Sequence, residues 1–352
     1  MEMELYEQAT EKVLTGIGDV FDKYVIFPTE EARLVSILWV AHSWVADMFH
    51  ATPRIFFTAN EPASGKTRAA EVTANMGPEM NEAANVQPSM IYTLLRELDN
   101  GPTFFIDETD KIWGKYGTKK YKEELVKILN LGFHRGKTTT IGRSGSFTKA
   151  LISCPVVFSG MGDSLPGDLM TRTIKITMRR IDDDQSDTLE EYTSDNYELD
   201  FARIHDAMKI WVRDFAPYLD LIVPDVPFRD RKREVWTPLL SIAALAGEKW
   251  EAAAVRAAKV IEAGGSVPMS TRLLFDVENA LDKLGGDRKF VFTKEIQEEL
   301  RSYGWAEKFI QEKVLSNILK PHGVAPKHGS VGGKKGRGYG TDELRFVIKS
   351  LR

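Results

Sequence analysis

Ser64-Gly65-Lys66-Thr67 stands between a run of β-type residues and a helical run, and Phe104-Phe105-Ile106-Asp107-Glu108 follows about forty residues later. A small-residue turn that opens a helix aims several backbone N–H groups at one point, and the helix end adds a favourable dipole for an anion. The N–H groups of Asn60, Ala63, Ser64, Gly65, Lys66, Thr67 and Arg68 are the candidates for holding phosphate oxygens. The Lys66 ammonium reaches β- and γ-phosphates from such a position, and the Thr67 hydroxyl can ligate Mg²⁺. Asp107 would hold the same metal, directly or through water, and Glu108 would polarise the attacking water. Together the segments imply binding of ATP with Mg²⁺ and its hydrolysis, with Lys66 and Glu108 as catalytic groups.

These residues need a strand before the turn and a strand before the acids. Arg54-Ile55-Phe56-Phe57-Thr58 is aromatic and β-branched and reads as a buried strand, and a helix is expected from about Lys66. The P-loop pattern is G-x-x-x-x-G-K-[ST], and its first glycine position is Asn60 here. Asn tolerates left-handed backbone, so the turn is expected to form around it. Read alone, the segment is also compatible with a chance G-K-T at a helix start. The acids alone are compatible with an ordinary strand exit. A parallel strand that ends on two carboxylates presents them where open α/β sheets bind ligands, and this favours the paired reading. Asp110 and Lys111 read as loop surface.

The 352 residues are 43% hydrophobic and 28% charged, an ordinary globular balance with room for two or three domains. No apolar run reaches about 18 residues, so neither a membrane span nor a membrane partner is expected. The acidic start Met1-Glu2-Met3-Glu4 lacks a secretory signature, and the bacterial cytoplasm is the expected location. Cys154 is the one cysteine, which rules out a disulfide within the chain. The six histidines show no H-E-x-x-H spacing, so no zinc is expected. Residues 287–352 carry 14 Lys/Arg against 8 Asp/Glu, about +6, and the overall charge of −4 leaves about −10 elsewhere. A basic end on an acidic body points to a polyanion such as DNA.

Along the chain, four modules are expected. Residues 1–50 read as helices that pack on the sheet, with Trp39 and Trp44 as core residues. Residues 51–181 alternate strand and helix and form a parallel α/β core, with strands at 54–58, 102–107, 151–159 and 173–178 and helices at 88–95 and 120–131. Asp182 to Asp195 reads as an exposed connection. Residues 198–265 form a helical bundle. Residues 268–352 carry helices at 270–284, 294–301 and 306–320, a Gly/Lys-rich hairpin at 327–340 and a strand at 344–348. Helix, helix and basic β-wing is the order of a winged helix, whose second helix enters the major groove. The fold class is therefore α/β: a P-loop NTPase core, a helical bundle and a winged-helix-like module.

The chain also resembles a family of P-loop ATPase domains from phage, plasmid and actinobacterial proteins, often found beside primase or helicase modules. The matching pieces are Leu38-Trp39-Val40-Ala41-His42, Thr52-Pro53-Arg54, Ser64 to Thr67, Ala84-Asn85-Val86 and Ile106-Asp107-Glu108. Leu129-Asn130, His134-Arg135-Gly136, Leu165-Pro166 with Arg172, and Trp236-Thr237-Pro238-Leu239-Leu240 with Ala246-Gly247 and Trp250 continue the match. Leu319-Lys320-Pro321-His322-Gly323 and Gly338-Tyr339 extend it to the end. The stretch Asn60 to Ser64 departs from relatives that carry Gly or Cys nearer the lysine. No primase-like segment precedes the turn, so a primase–helicase fusion is not expected.

The resemblance implies an AAA+-like or superfamily 3 helicase-like motor. In AAA+ proteins a polar residue on the strand beside the acids senses the γ-phosphate, the place of Ser159, which could equally be a strand-terminal Ser satisfying a turn. A hairpin with Lys137 and Arg143 would grip DNA in a ring pore, or simply be solvated. Arg172 stands where an arginine finger is supplied in trans, with a surface ion pair as its rival reading. Arg231 would close over the γ-phosphate in cis, with Arg229 and Arg233 in competition. Lys327, Lys334, Lys335 and Arg337 would contact DNA phosphates, with Tyr339 stacking or packing; otherwise they form a soluble tail.

The leading expectation is a DNA-directed ATPase, a phage-type replication helicase or remodeller acting as a hexameric ring on single-stranded or forked DNA. The alternative is an ATP-gated oligomer that binds a host or phage protein through its C-terminal module without unwinding DNA. A small-molecule kinase fits the extra modules least well.

Overall fold

The computed structural model describes residues 2–82, 91, 102–114, 118–143, 146–151, 153–180, 187–264, 269–284, 288–302, 310–320 and 323–350. The chain divides into two compact units, Met1–Gly265 and Ser266–Arg352. The expected modules at 1–50, 51–181 and 198–265 share the first unit, because one continuous core runs through all three.

The first unit opens with α1 (Glu2–Tyr24) and α2 (Glu30–Ser43). Thr29 caps α2 by accepting from the Ala32 N–H at 3.1 Å, and Glu30 and Glu31 complement the helix dipole in the first turn. β1 (Arg54–Ala59), α3 (Lys66–Asn75), β2 (Asn81–Glu82) and β3 (Phe104–Ile106) follow. Next come α4 (Thr109–Trp113), α5 (Lys119–Leu131), the hairpin β4 (Thr138–Arg143) and β5 (Ser146–Leu151), then β6 (Val156–Met161). The four-residue α6 (Gly167–Met170) leads into β7 (Thr173–Thr177). The helices α7 (Ser194–Asp214), α8 (Asp230–Leu245) and α9 (Glu248–Glu262) close the unit.

The main sheet has the order β2-β3-β6-β1-β7, and every neighbouring pair is parallel. β1 is buried along its whole length, as a strand covered on both faces must be. Ile55 and Phe57 enter the larger core with α1, α2, α3, α8 and α9, while Phe56 turns to a second core with Leu125, Ile128 and Leu129 of α5. Period-two alternation thus feeds two layers from one strand. Trp39 is fully buried and donates from Nε1 to the Pro53 carbonyl at 2.9 Å, which fixes α2 against the start of β1. Trp44 is half-buried and donates to the Met76 carbonyl at 2.9 Å, tying the end of α2 to that of α3.

The second unit contains α10 (Met269–Lys283), β8 (Phe290–Phe292), α11 (Thr293–Ser302), α12 (Glu312–Leu319), β9 (Lys327–Val331), β10 (Lys334–Gly340) and α13 (Thr341–Ser350). Its strands form an antiparallel sheet in the order β8-β10-β9, with Tyr339 opposite Val291. Leu273, Val277, Ile296, Leu315 and Tyr339 belong to its core.

Several sequence expectations are corrected. Residues 344–348 are helical, because Leu344, Val347 and Ile348 at i, i+3 and i+4 face the core while Phe346 is exposed. The strand expected at 151–159 starts only after Pro155, which has no N–H to give a ladder, and runs on to Met161. Strand 102–107 contracts to Phe104–Ile106. α7 begins at Ser194, so the acidic connection is shorter than expected. The helix expected at 88–95, the motif Ala84-Asn85-Val86 and Asp182 to Asp184 lie outside the described residues, apart from Ile91.

Candidate functional site

The turn between β1 and α3 is shaped by two left-handed residues, Ala63 at φ 57° and Gly65 at φ 75°. A Cβ on Gly65 would meet nothing within 4 Å, so its backbone conformation, rather than space, calls for glycine. Asn60 is exposed and absent from the left-handed set, so the turn forms through Ala63 and Gly65. The Gly65 carbonyl accepts the first bond of α3 from Ala69 at 2.9 Å, leaving the N–H groups of the opening turn directed out of the helix end. The Ser64 hydroxyl is buried without a hydrogen-bond partner among the described residues. An orphaned buried hydroxyl costs about 1–3 kcal/mol, and a ligand oxygen in the turn would relieve it. Lys66 and Thr67 are half-buried on the first turn of α3.

The side chains that follow converge on the C-terminal edge of the sheet. The Thr67 hydroxyl lies 3.4 Å from that of Ser159. Ser159 is fully buried inside β6, opposite Phe57 of β1, and not at a strand end as expected. On the other side of β6, Phe158 pairs with Ile106, so Asp107 leaves β3 at the level of Ser159. Asp107 accepts from the Glu108 N–H at 2.7 Å. Glu108 is exposed with φ 53° and ψ 42°, an uncommon conformation for a residue with a Cβ, and it pairs with Lys111.

Two contacts that sequence reasoning missed hold this acid turn. Asp110 accepts from the Met161 N–H at 2.9 Å, and the Thr109 and Ser164 hydroxyls are 2.6 Å apart. Gly160 lets them meet, since a Cβ there would lie 2.0 Å from the Thr109 oxygen. Asp110, expected as loop surface, is therefore a positioning group. Arg68 also has a partner unseen in the sequence, the Tyr192 ring 4.0 Å below its guanidinium. Anion donors, a lysine, two hydroxyls and two acids thus surround one edge, and this donor set fits a triphosphate with a hard, oxygen-preferring cation.

Arg172 and Arg231 stand elsewhere. Arg172 precedes β7, and its carbonyl accepts from the N–H of Arg54, the first residue of β1. This is the N-terminal edge, about 17 Å along β1 from the turn at about 3.3 Å per residue. Arg172 donates to the Asp168 carbonyl at 2.6 Å and to the Thr171 hydroxyl at 3.3 Å. Its guanidinium is 5.7 Å from the buried Phe133 ring, and that of Arg231 is 5.1 Å from the same ring. Arg54 is fully buried 5.9 Å away, and burial lowers its pKa to about 10. Burial, then Arg231, lowers that of Arg172. Arg231 pairs with Glu234 and contacts His134 Nε2 at 3.2 Å. A position in cis over the phosphate turn is thereby corrected, because these partners anchor Arg231 at the opposite edge.

Beside Arg231, the ligand atoms of His50, His134 and Glu234 lie within 4.8 Å of one another. Burial holds the His134 pKa below its usual value. Sequence spacing gave no sign of this group, since its members come from three separate segments. Cys154 is buried, and burial raises its thiol to about 11.

The remaining candidates are dispersed. Lys137 is exposed beside β4, and the side chain of Arg143, the last residue of β4, lies outside the described residues. In the second unit Lys334 and Lys335 are exposed, whereas Lys327 pairs with Glu343 at 2.6 Å and Arg337 with Glu312 at 3.2 Å. Tyr339 is fully buried and packs. No helix among the described residues is long and apolar enough to cross a membrane.

Residues 177–347 match the model of a family described as a protein of unknown function, DUF3631. The match begins at the last residue of β7, so it includes α8 and the second unit as far as Val347 but neither the turn before α3 nor the acid turn. The chain is similar to an uncharacterised 28.9 kDa protein in the xis 5′ region of Saccharopolyspora erythraea, at 33% identity over 96 residues. That alignment covers 26% of this chain and 35% of the relative's length.

Proposed function

We propose that the chain is an ATP-hydrolysing, AAA+-like motor that acts on DNA as an oligomeric ring. One observation carries the reading: the start of α3, Ser159 in β6 and the acids after β3 converge at a single sheet edge. Donor N–H groups, Lys66 and Thr67 would hold the triphosphate, with Thr67 and Asp107 holding Mg²⁺. Mg²⁺ supplies charge neutralisation of the β- and γ-oxygens. Glu108, on exchanging Lys111 for water, would orient that water for attack on the γ-phosphorus. Ser159, held against Thr67, would donate to the γ-phosphate and register its loss.

Arg172 fits an arginine finger supplied to a neighbouring copy. It lies at the edge away from its own phosphate turn, so it would reach a triphosphate only across a subunit boundary. Lys334 and Lys335, exposed and without a carboxylate partner among the described residues, would meet DNA phosphates. The test is binding of a fluorescent ATP analogue by Lys66→Ala. Binding should be lost, and ATP affinity equal to that of the unmodified chain would remove the phosphate-turn assignment.

The pairing of Lys327 and Arg337 with carboxylates favours a second reading, an ATP-gated oligomer that docks a host or phage protein through its second unit. Turnover accelerated by single-stranded DNA supports the motor; turnover indifferent to DNA supports the docking protein.

A further inference from the structure

At the sheet edge away from the phosphate turn, His50, His134 and Glu234 come from three elements to one point. His50 lies in the segment before β1, His134 follows α5, and Glu234 sits in the first turns of α8. The His50 and His134 rings are 4.9 Å apart. Backbone bonds fix the two histidine segments to each other, from Thr52 N to Phe133 O at 2.8 Å and from Arg135 N to His50 O at 2.9 Å.

The separations suit a small cation. His134 Nε2 and Glu234 Oε2 are 3.4 Å apart. Two ligands at about 2.0–2.1 Å from a tetrahedral ion would be separated by roughly 3.4 Å. The ligand atom of His50, on an exposed side chain, lies within 4.8 Å of the other two.

A cation already marks the position. The Arg231 guanidinium touches both His134 Nε2 and Glu234 Oε2. His134 Nε2 faces both a donor, the Arg231 guanidinium, and an acceptor, Glu234 Oε2, and in the tautomer that accepts from Arg231 its lone pair is the one a metal would take. Glu234 likewise directs a charged oxygen there. A cavity of about 280 Å³, lined by His50, Asp230, Glu234 and Thr237 among others, adjoins the cluster and gives an ion and its water a route in.

We infer that His50, His134 and Glu234 form a binding site for a zinc-class divalent cation, and that Arg231 is the internal cation which the metal displaces. Two imidazoles and one carboxylate with a water fit zinc or cobalt and suit magnesium poorly. The bound ion would pin α8 to the segments around β1, and Arg231 would be released from Glu234.

The test is titration of the chelator-treated full chain with Co²⁺, without nucleotide, read by visible absorption and then displaced with Zn²⁺. One Co²⁺ per chain with intense tetrahedral bands is expected. His134→Ala and Glu234→Gln should lose the bands and weaken Zn²⁺ binding by roughly tenfold or more. Arg231→Ala should bind more tightly, because its competitor is gone. His50→Ala alters only an exposed side chain and keeps the test valid if the half-buried variants fail to fold. Asp107→Asn should leave the bands unchanged. Absence of tetrahedral bands in the unmodified chain, or equal Zn²⁺ affinity in His50→Ala, would overturn the site.

Discussion

The hydroxyl of Thr67, on the first turn of α3, stands 3.4 Å from that of Ser159, inside β6. The strand beside β1 is thereby joined to the opening turn of α3. Ser159→Ala should leave nucleotide binding within a few-fold. It should reduce turnover by about a hundredfold, the scale for loss of one preorganised donor. Steady-state hydrolysis at saturating Mg·ATP checks this; unchanged turnover would leave Ser159 a packing residue.

Glu108 separates chemistry from backbone strain. Glu108→Gln should bind ATP and hydrolyse it about 10²–10⁴-fold more slowly, the usual contribution of a general base. Glu108→Gly should be just as slow yet more stable by about 1 kcal/mol, since glycine accepts φ 53° without cost. Hydrolysis assays paired with thermal melts distinguish the two effects.

Arg172→Ala should retain ATP affinity and lose about 10³-fold or more in turnover. Mixing it with Glu108→Gln subunits should restore part of the activity, because each variant supplies what the other lacks. Failure to restore any at several mixing ratios would count against a finger in trans.

His42 gives a pH signature. It is fully buried, neither ring nitrogen has a partner among the described residues, and burial lowers its pKa to about 3. The unfolded chain takes up the proton near pH 6.5 and the folded chain does not. Stability from this residue is therefore complete above about pH 6.5 and falls towards pH 3, by about 1.4 kcal/mol per unit. Denaturant melts at pH 7 and 5 should show a smaller loss for His42→Leu than for the unmodified chain.

The wing should show a divided response. Replacing Lys334 and Lys335 with Glu should weaken single-stranded DNA binding and reduce the salt slope by about 1.4, at about 0.7 per phosphate contact. Lys327→Ala and Arg337→Ala should change it less, since Glu343 and Glu312 already occupy those cations. Binding isotherms over a salt series decide the point.

Legibility in the sequence followed locality. The strand, turn and helix around Lys66 are contiguous, and the types Gly65, Lys66 and Thr67 announce their backbone needs. The pair Asp107-Glu108 was readable because an apolar run ends on it. Residues 344–348 misled because five residues of Leu-Arg-Phe-Val-Ile satisfy β-propensity, while the helical spacing of Leu344, Val347 and Ile348 emerges only once a core is present. Nothing local linked His134 to Glu234, a hundred positions apart, or gathered Arg54, Arg172 and Arg231 around Phe133. Such groups exist only after the chain has closed on itself.

Gly160 has a consequence out of proportion to its size. With the Thr109 oxygen 2.0 Å from where its missing methyl would be, one added carbon must displace the Thr109 hydroxyl and disturb its contact with Ser164. Alanine at this position would test whether the acid turn must sit where it does, while every candidate group stays in the chain.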